Sequence, residues 1–331
     1  MPDDFSVQAT RLGDGPIIHA DLDPSIGENI QGPSLIRTPH WLADRLGQYY
    51  LYFADHKGSY IRLAYADSLQ GPWKIYVPGS LQLAESHFLT EPPPITTAQR
   101  EQVAMAFRKA GIKVPHDPAL EVTAPHIASP DVHVDEINQR LVMYFHGLEK
   151  LGTQLTRVAI STDGINFDAL PAILGNTYFR GFYWAGKYYG LAMPGQFYRA
   201  DDPIGPFESG PLLFNPNMRH CAVLVKDHWL WVFWTQVGDQ PEHIKLSRVD
   251  LSQPWTDWQV VDTHEILRPE RDYEGANAPL ESSVRSTAYG QVNQLRDPAV
   301  FVEGDDIYLL YAVAGESGIA LASLERSRRS A

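Results

Sequence analysis

The chain has few of the residues that would cross-link it, hold it to nucleic acid or carry it into a membrane. Its single cysteine, Cys221, excludes an internal disulfide framework. Only 27 lysines and arginines stand against 40 acidic residues, giving a net charge of −13, and no basic stripe is present to neutralise phosphates. Charge, glycine or proline interrupts every apolar run within about ten residues, which is too short to cross a bilayer. We therefore expect no nucleic-acid partner and no membrane partner, and the oligomeric state is left open.

The first residues also lack the features of a secretion signal. The sequence MPDDFSVQATRLGDG has neither a cationic start nor an apolar run. Together with the single cysteine, this predicts a cytoplasmic protein, provided that Met1 is the natural start.

Repeated strands rich in aromatic and β-branched residues are what the chain has in abundance. Five such segments read YYLYF, LVMYF, KYYGLA, LWVFW and IYLLY, and they lie at 49–53, 141–145, 187–192, 230–234 and 307–311. After four of them comes another strand and then a turn that ends in an aromatic residue, at Trp73, Phe167, Phe207 and Trp255. Repetition with a period of roughly 40 to 50 residues is typical of a β-propeller, in which each small sheet packs against its neighbours in a ring. We predict an all-β, five-bladed propeller that occupies residues 1–331 as a single domain.

The remaining segments are assigned to inner strands and rim insertions. The innermost strands are predicted in the segments 32–39, 126–134, 177–184, 218–225 and 295–302. A rim insertion at about 80–125 carries a short helix, 97–110, between blades one and two, and a second rim insertion covers about 257–293. Blade five lacks an outer strand of its own, so that strand is predicted to come from residues 5–12, which closes the ring.

Ionisable residues stand where the inner strands begin and in the loops that return to the same end of the channel. The strand starts contribute His126, Asp131, Arg180, Arg219, His220, Arg296 and Asp297. The returning loops contribute Asp55, His56, His146, Glu149, Asp239, Glu242 and Glu316. Carboxylates, imidazoles and guanidiniums that converge on one funnel shift each other's pKa values apart, as acid–base chemistry requires. The funnel is therefore the predicted functional site.

Several of these residues also have a structural interpretation. Asp131 and Asp297 lie beside prolines, where an aspartate often caps a turn. An arginine is as often the partner of a buried carboxylate as a ligand clamp, and a histidine at a channel mouth is often a satisfied core residue. A structural and a functional role therefore both stay open for four residues, namely Arg180, Arg296, His220 and the loop residue Glu316.

The chain resembles the five-bladed β-propeller glycosidases, namely glycoside hydrolase family 43 and its relatives in families 32, 68 and 117. The resemblance covers nearly the whole chain and rests on GPSLI at 32–36, SPDVHVDEINQRLVMYFHG at 129–147, RDPAVFVEGDDIYLLYA at 296–312 and the aromatic-ending turns. In those families a carboxylate base lies on the first inner strand, a second aspartate on the next blade tunes it, and a glutamate further round protonates the leaving oxygen. This chain has Gly32-Pro33 where the first Asp-Pro is expected, and Arg180-Gly181 where the glutamate is expected. A direct transfer of the catalytic triad therefore fails.

A ring has no fixed first blade, so the resemblance is applied with the blades rotated. Asp297-Pro298 in blade five then supplies the Asp-Pro motif, and Asp131 matches the blade-two aspartate. On this basis the resemblance implies Asp297 and Asp131 as general base and pKa-tuning residue, with Glu316 as the candidate acid. The predicted substrate-binding residues are His56, His126, His146, Arg180, Arg219, His220 and Arg296.

The resemblance and the ionisable funnel together predict a glycoside hydrolase acting by carboxylate acid–base catalysis on a small oligosaccharide or glycoside. A mouth rich in arginine favours an acidic sugar. No cofactor and no metal are expected, because the spacing of His126, His133 and His146 matches no established zinc pattern. A structural ion such as calcium in the central channel is left open.

Two other functions fit the same fold. A lyase or an isomerase would use His220 or His146 to move a proton and the arginines to stabilise an enolate, and the missing standard carboxylates favour it. A non-catalytic propeller would only bind carbohydrate. The density of ionisable groups at the strand starts argues against that third function.

Overall fold

The computed structural model describes residues 5–328. In chain order its strands are β1 (Phe5–Leu12), β2 (Ile18–His19), β3 (Gln31–Arg37), β4 (Tyr49–Ala54), β5 (Tyr60–Ala66), β6 (Lys74–Gln82), β7 (Ile127–Asp135), β8 (Arg140–Lys150), β9 (Thr153–Ser161), β10 (Asp168–Ala169), β11 (Arg180–Trp184), β12 (Lys187–Ala192), β13 (Gln196–Ala200), β14 (Glu208–Leu212), β15 (Met218–Lys226), β16 (Trp229–Gln236), β17 (Ile244–Asp250), β18 (Val260–Leu267), β19 (Arg296–Glu303), β20 (Asp306–Ala312) and β21 (Gly318–Arg328). The α-helices in this part of the chain are α1 (Thr97–Lys109) and α2 (Leu120–Thr123). No helix within residues 5–328 is long and apolar enough to cross a membrane.

The strands form five antiparallel sheets, which are the blades of a propeller. Blades one to four are β3-β4-β5-β6, β7-β8-β9-β10, β11-β12-β13-β14 and β15-β16-β17-β18, each running outward in chain order. Blade five is β19-β20-β21-β1, and β2 pairs with the first two residues of β21. The prediction of an all-β, five-bladed propeller is confirmed.

Apolar side chains fill the wedges between neighbouring blades, which explains the aromatic second strands. Strand β4 is buried at all six positions because its two faces pack on different neighbours. Tyr52 on one face joins Phe145 of blade two, whereas Leu51 on the other face joins Leu310 of blade five. The other three blade interfaces are filled in the same way. Burial on both faces thus holds the blades in a ring around a central channel.

The N-terminal strand closes the ring, as the sequence predicted. Strand β1 pairs with β21 in antiparallel register, with Val7 opposite Arg326 and Leu12 opposite Leu321. The side chain of Arg11 reaches from this strand to the segment that follows blade four. Its Nε and Nη2 atoms donate to the two carboxylate oxygens of Glu274 at 2.8 and 2.9 Å, and Glu274 is fully buried. The first strand is therefore held by a buried ion pair as well as by its backbone pairing with β21.

Replacing Arg11 with Met is expected to destabilise the protein by roughly 3 kcal/mol, because the buried carboxylate of Glu274 loses its guanidinium. The measurement is the free energy of unfolding in urea. A matched control is Arg268→Met, which breaks an ion pair with Glu265 whose side chains are 48% and 38% exposed. Exposed pairs contribute at most about 1 kcal/mol, so equal losses in the two variants would contradict this account of ring closure.

Two segments outside the blades lie at one end of the ring. Helix α1 lies between β6 and β7 and begins at a capping box formed by Thr96 and Gln99. The second insertion is shorter than predicted, because β18 completes blade four within the segment 257–293. This strand is exposed at five successive positions, so its sequence, VVDTHEIL, lacks the alternation by which a half-buried strand is recognised.

Candidate active site

A left-handed backbone residue recurs at the start of every inner strand. Gly32, Ser129, Tyr178, His220 and Asp297 have φ values of 63°, 50°, 56°, 38° and 45°. In β3, β7, β15 and β19 the pairing register shifts at this residue, as in a β-bulge. A non-glycine residue at positive φ is strained, and such strain gathers at functional sites. The repeat brings one side chain from each of blades two to five to the channel mouth.

Glycine occupies the repeat position in blade one for a steric reason. A Cβ atom on Gly32 would lie 2.9 Å from the Cα atom of Ser129 in blade two, closer than two carbons can pack. The bulges of blades one and two therefore touch backbone to backbone. This contact explains why blade one does not carry the Asp-Pro motif at this position.

The predicted place of Asp131 at the channel mouth, at the same position in its blade as Asp297, is wrong. The residue of blade two that matches Asp297 is Ser129, and Asp131 lies two residues further along β7. The Asp131 carboxylate accepts from the Gly181 backbone N–H at 2.7 Å and lies 2.7 Å from His133 Nε2. It lines a separate cavity of about 340 Å³ formed by later residues of the inner strands. The structure therefore separates Asp131 from the channel mouth.

A signal in the sequence could have shown this register. Proline follows the left-handed residue in three blades, as Gly32-Pro33, Ser129-Pro130 and Asp297-Pro298. Aligning the blades on these prolines pairs Asp297 with Ser129.

Two cavities of about 690 and 370 Å³ lie at the channel mouth and share Lys57 and Glu121 as lining residues. The larger is lined by Asn29, Asp55, Glu316 and residues 287–291, among others. The smaller is lined by His56, Phe107, Tyr178, Met193, Arg219, His220 and Arg285, among others. Both cavities fall within the range of roughly 300–1,000 Å³ that holds small ligands.

The two insertions meet over these cavities. Tyr289 donates its hydroxyl hydrogen bond to Glu121 Oε1, and the Tyr289 and His116 rings pack edge to face with centroids 5.2 Å apart. His116 Nε2 lies 2.9 Å from the same Glu121 oxygen. Sequence reasoning did not find Glu121 or Tyr289, because only the fold brings the insertions together. It also passed over Lys57, which follows His56 in the loop between β4 and β5.

Glu316 is held as an ionised carboxylate. Oε1 accepts from Arg296 Nη1 at 2.7 Å and lies 3.2 Å from His56 Nδ1, and Oε2 accepts from Asn29 Nδ2 at 2.8 Å. Although the side chain is buried, the charges of His56 and Arg296 and these hydrogen bonds hold the pKa of Glu316 far below its ordinary value. A general acid must be protonated, so these contacts argue against the sequence-based assignment of Glu316 as the acid.

Asp297 has the opposite environment. Its carboxylate is buried, and neither oxygen has a hydrogen-bond partner among the described residues. Burial and the negative charge of Glu316 raise the pKa of Asp297 to about 7, although the Arg219, Arg296 and Arg180 charges oppose the shift. The nearest imidazole nitrogen is His220 Nε2, 3.7 Å from Oδ1. Asp297 is therefore the carboxyl group at the mouth that holds a proton near neutral pH.

His220 and Arg219 connect Asp297 to the smaller cavity. Arg219 Nε donates to His220 Nε2 at 3.1 Å, and Thr235 Oγ1 lies 3.3 Å from His220 Nδ1. Burial and the charge of Arg219 lower the pKa of His220, so its imidazole is neutral. Behind them lies Glu242, fully buried, with its carboxylate oxygens 3.7 Å from Arg219 Nε and 3.5 Å from Arg296 Nε.

The other predicted binding residues lie deeper. Burial lowers the pKa of His126 to about 3 and also lowers that of His146, whose ring lies 4.7 Å from the Tyr178 ring. Arg180 donates to the backbone oxygens of Cys221 and Pro130 at 2.8 and 2.7 Å, and it lies 3.4 Å from Asp131. The structure thus brings together His56, Arg219, His220, Arg296, Asp297 and Glu316 and places Arg180 with Asp131. Within the part of the chain that is described, no group of three or more His, Cys, Asp or Glu residues is arranged to hold a metal ion.

Comparison with known proteins gives one curated relative and many structural neighbours. No family model matches the chain. The uncharacterized protein R118 of Acanthamoeba polyphaga mimivirus is 34% identical over 324 residues, which cover 90% of this chain and 84% of R118.

The structural neighbours are carbohydrate-active propellers of low sequence identity. A GH43 β-xylosidase/α-arabinofuranosidase from a compost microbial metagenome, solved with xylotriose, has a TM-score of 0.57 and 11% identity and covers 98% of this chain and 96% of its own. A GH130 protein, from a family of mannoside phosphorylases that contains glycoside hydrolases targeting β-1,2 mannosidic linkages in Candida mannan, has a TM-score of 0.58 and 13% identity, covering 98% and 95%. A GH43 enzyme from Xanthomonas citri, solved with xylotriose, has a TM-score of 0.55 and 10% identity, covering 98% and 91%. At these identities the likeness establishes a shared five-bladed fold.

Proposed function

The chain belongs to one family with the mimivirus protein R118, and we propose that it is a glycan-active enzyme that cleaves a glycosidic bond at the mouth of the propeller channel. The fold is the one used by GH43 and GH130 enzymes. Because one fold hosts many functions, the site itself must support the activity. The substrate we propose is a small oligosaccharide or glycoside bound in the two cavities at the mouth.

One observation carries the proposal: two buried carboxyl groups at the mouth have opposite environments. Glu316 is hydrogen-bonded by Arg296 and Asn29, whereas Asp297 has no hydrogen-bond partner among the described residues. These environments raise the pKa of Asp297 to about 7, so that it keeps its proton below that pH, and lower the pKa of Glu316, which stays ionised. Glycoside cleavage needs this combination, since one carboxyl group protonates the leaving oxygen while an ionised group faces the positive charge that develops on the sugar. We assign Asp297 as the proton donor and Glu316 as the ionised partner, which reverses the roles predicted from the sequence.

The neighbouring residues support these two roles. Arg296 and Asn29 keep Glu316 ionised and fix both of its oxygens. Asp297 lines neither cavity, but His220 lines the smaller one, is neutral, and has its Nε2 atom 3.7 Å from Asp297 Oδ1. In this proposal His220 takes up the Asp297 proton and gives it to the leaving oxygen in the cavity. Tyr178 and Phe107 give the smaller cavity apolar surfaces against which a sugar face can pack.

The test is turnover of a panel of aryl glycosides and acidic oligosaccharides by the whole protein. We expect release of reducing sugar by the wild-type protein, and NMR of the fresh product identifies its anomer. Loss of turnover in Asp297→Asn with ligand binding retained would support the assignment. Ligand binding without turnover of any substrate would contradict the proposal and favour a carbohydrate-binding propeller.

A second candidate is an elimination reaction, in which a base removes a proton next to a carboxylate. The observation that favours it is that His220, Tyr178 and Arg219 line the smaller cavity, whereas Asp297 does not. Elimination leaves a conjugated double bond in the product. Formation of an unsaturated sugar that absorbs ultraviolet light, in place of a saturated hydrolysis product, would favour this function.

A further inference from the structure

The smaller cavity at the mouth concentrates positive charge in an acidic protein. The chain has a net charge of −13, yet this cavity is lined by Lys57, Arg219 and Arg285, together with His56 and His220. Its acidic lining residue is Glu121. That carboxylate is already engaged by His116 and Tyr289 on the side of the larger cavity. The lining of the smaller cavity is therefore cationic.

The two guanidiniums in this cavity are bound to neutral groups. Arg219 donates to His220 Nε2 and to the Val284 carbonyl at 2.9 Å, and its closest carboxylate, Glu242, lies 3.7 Å away. Arg285 donates to the Pro216 carbonyl at 2.8 Å, and no carboxylate among residues 5–328 lies within 4 Å of it. Burial and the positive charge of Arg219 lower the pKa of Arg285.

Other arginines of the chain show the contrast. Arg140 donates to Asp135 at 2.8 Å, and Arg157 donates to Glu149 at 2.7 Å. Lys57 differs in the same way as the cavity arginines, since its Nζ donates to the Glu121 backbone carbonyl at 3.1 Å rather than to a carboxylate. Three cations without a hydrogen-bonded carboxylate thus face one cavity.

We propose that the smaller cavity binds the carboxylate of an acidic sugar, so that the substrate class of the proposed enzyme is a uronic acid glycoside. The inference rests on the proposed function. Guanidiniums suit a carboxylate because their N–H donors are fixed in one plane. The hydrogen bonds of Arg219 and Arg285 to His220, Val284, Met193 and Pro216 use only part of the five donors that each guanidinium carries, and the ammonium of Lys57 adds charge. The apolar side chains of Phe107 and Met193 line the same cavity and suit the sugar ring.

Calorimetric binding to the full chain carrying Asp297→Asn tests the proposal without interference from turnover. Methyl glucuronide is expected to bind at least tenfold more tightly than methyl glucoside, and the difference should shrink as salt is raised. Arg285→Met is expected to remove most of this preference, and Arg285→Lys to restore part of it. Arg268→Met, which removes one exposed positive charge that lines neither cavity at the mouth, should leave the preference intact.

The outcomes separate this inference from the proposed function. Equal affinity for the two methyl glycosides, an unchanged preference in Arg285→Met, or tight binding of inorganic phosphate in place of the glucuronide would overturn the uronate site. Hydrolysis of neutral glycosides without uronate preference would keep the proposed function and remove this inference. Selective binding of glucuronide by a protein that turns over no glycoside would keep the uronate site and contradict the proposed function.

Discussion

Replacement of Asp297 by Asn is expected to lower kcat by roughly 10²–10⁴-fold, because an amide keeps the shape of the carboxyl group but cannot supply its proton. Ligand affinity should change little, since Asp297 does not line either cavity at the mouth. The measurement is steady-state turnover of the best glycoside from the panel, alongside calorimetric binding of the same ligand. Turnover within a few fold of wild type would remove Asp297 from the mechanism.

Asp131→Asn is the matched control for that variant. It makes the same chemical change on a neighbouring inner strand, but Asp131 lines the cavity beyond the bulges and its carboxylate is bound by Gly181 and His133. We expect turnover to be retained and the free energy of unfolding to fall by roughly 1–3 kcal/mol, because His133 and Arg180 lose the negative charge of their partner. Loss of turnover in the folded Asp131→Asn protein would restore the role that the sequence suggested.

The pH dependence of the wild-type protein follows from the raised pKa of Asp297. A proton donor is active only when protonated, so kcat/KM should fall as pH rises through about 7. The free energy of unfolding should follow the same trend with pH. The contribution of Asp297 to it is present below the ordinary pKa of 3.8 and is lost as pH rises toward about 7. Asp297→Asn should therefore gain stability relative to wild type between pH 4 and pH 8, by up to about 4 kcal/mol. Urea unfolding at the two pH values measures this difference.

Most of the fold could be predicted from local sequence patterns. Strands such as β4 and β16 are buried on both faces, so each reads as an unbroken aromatic run whatever surrounds it. Pairing of the first strand with β21 could be predicted because blade five needed an outer strand and the segment 5–12 was left over. Strand β18 was missed because an exposed outer strand needs no apolar face.

The site was harder to predict because its properties depend on contacts between blades. The sequence placed His220, Asp297 and Glu316 at one mouth, and the structure brings them together. Which carboxyl group carries the proton depends on the bonds of Glu316 to Arg296, in the same blade, and to Asn29, which lies 287 residues away in the chain. The prediction for Asp131 was wrong because β7 has a bulge between Ala128 and Asp131. The extra residue of the bulge shifts the pairing register, and the alternation of residues in the sequence does not reveal it.

Replacement of Glu316 by Gln is expected to abolish turnover and to destabilise the protein by roughly 3–5 kcal/mol, because fully buried Arg296 loses its closest counter-charge. The control is Glu303→Gln, which weakens a contact with Arg37 and Tyr49 on a side chain that is 27% exposed, and which should cost at most about 1 kcal/mol. Because folding lowers the pKa of Glu316 below 4.5, its contribution is present above that pH and is lost as pH falls further. The difference in unfolding free energy between wild type and Glu316→Gln should therefore shrink between pH 7 and pH 3, the opposite trend to that of Asp297→Asn. A difference that stays constant with pH would show that Glu316 is not ionised in the folded protein.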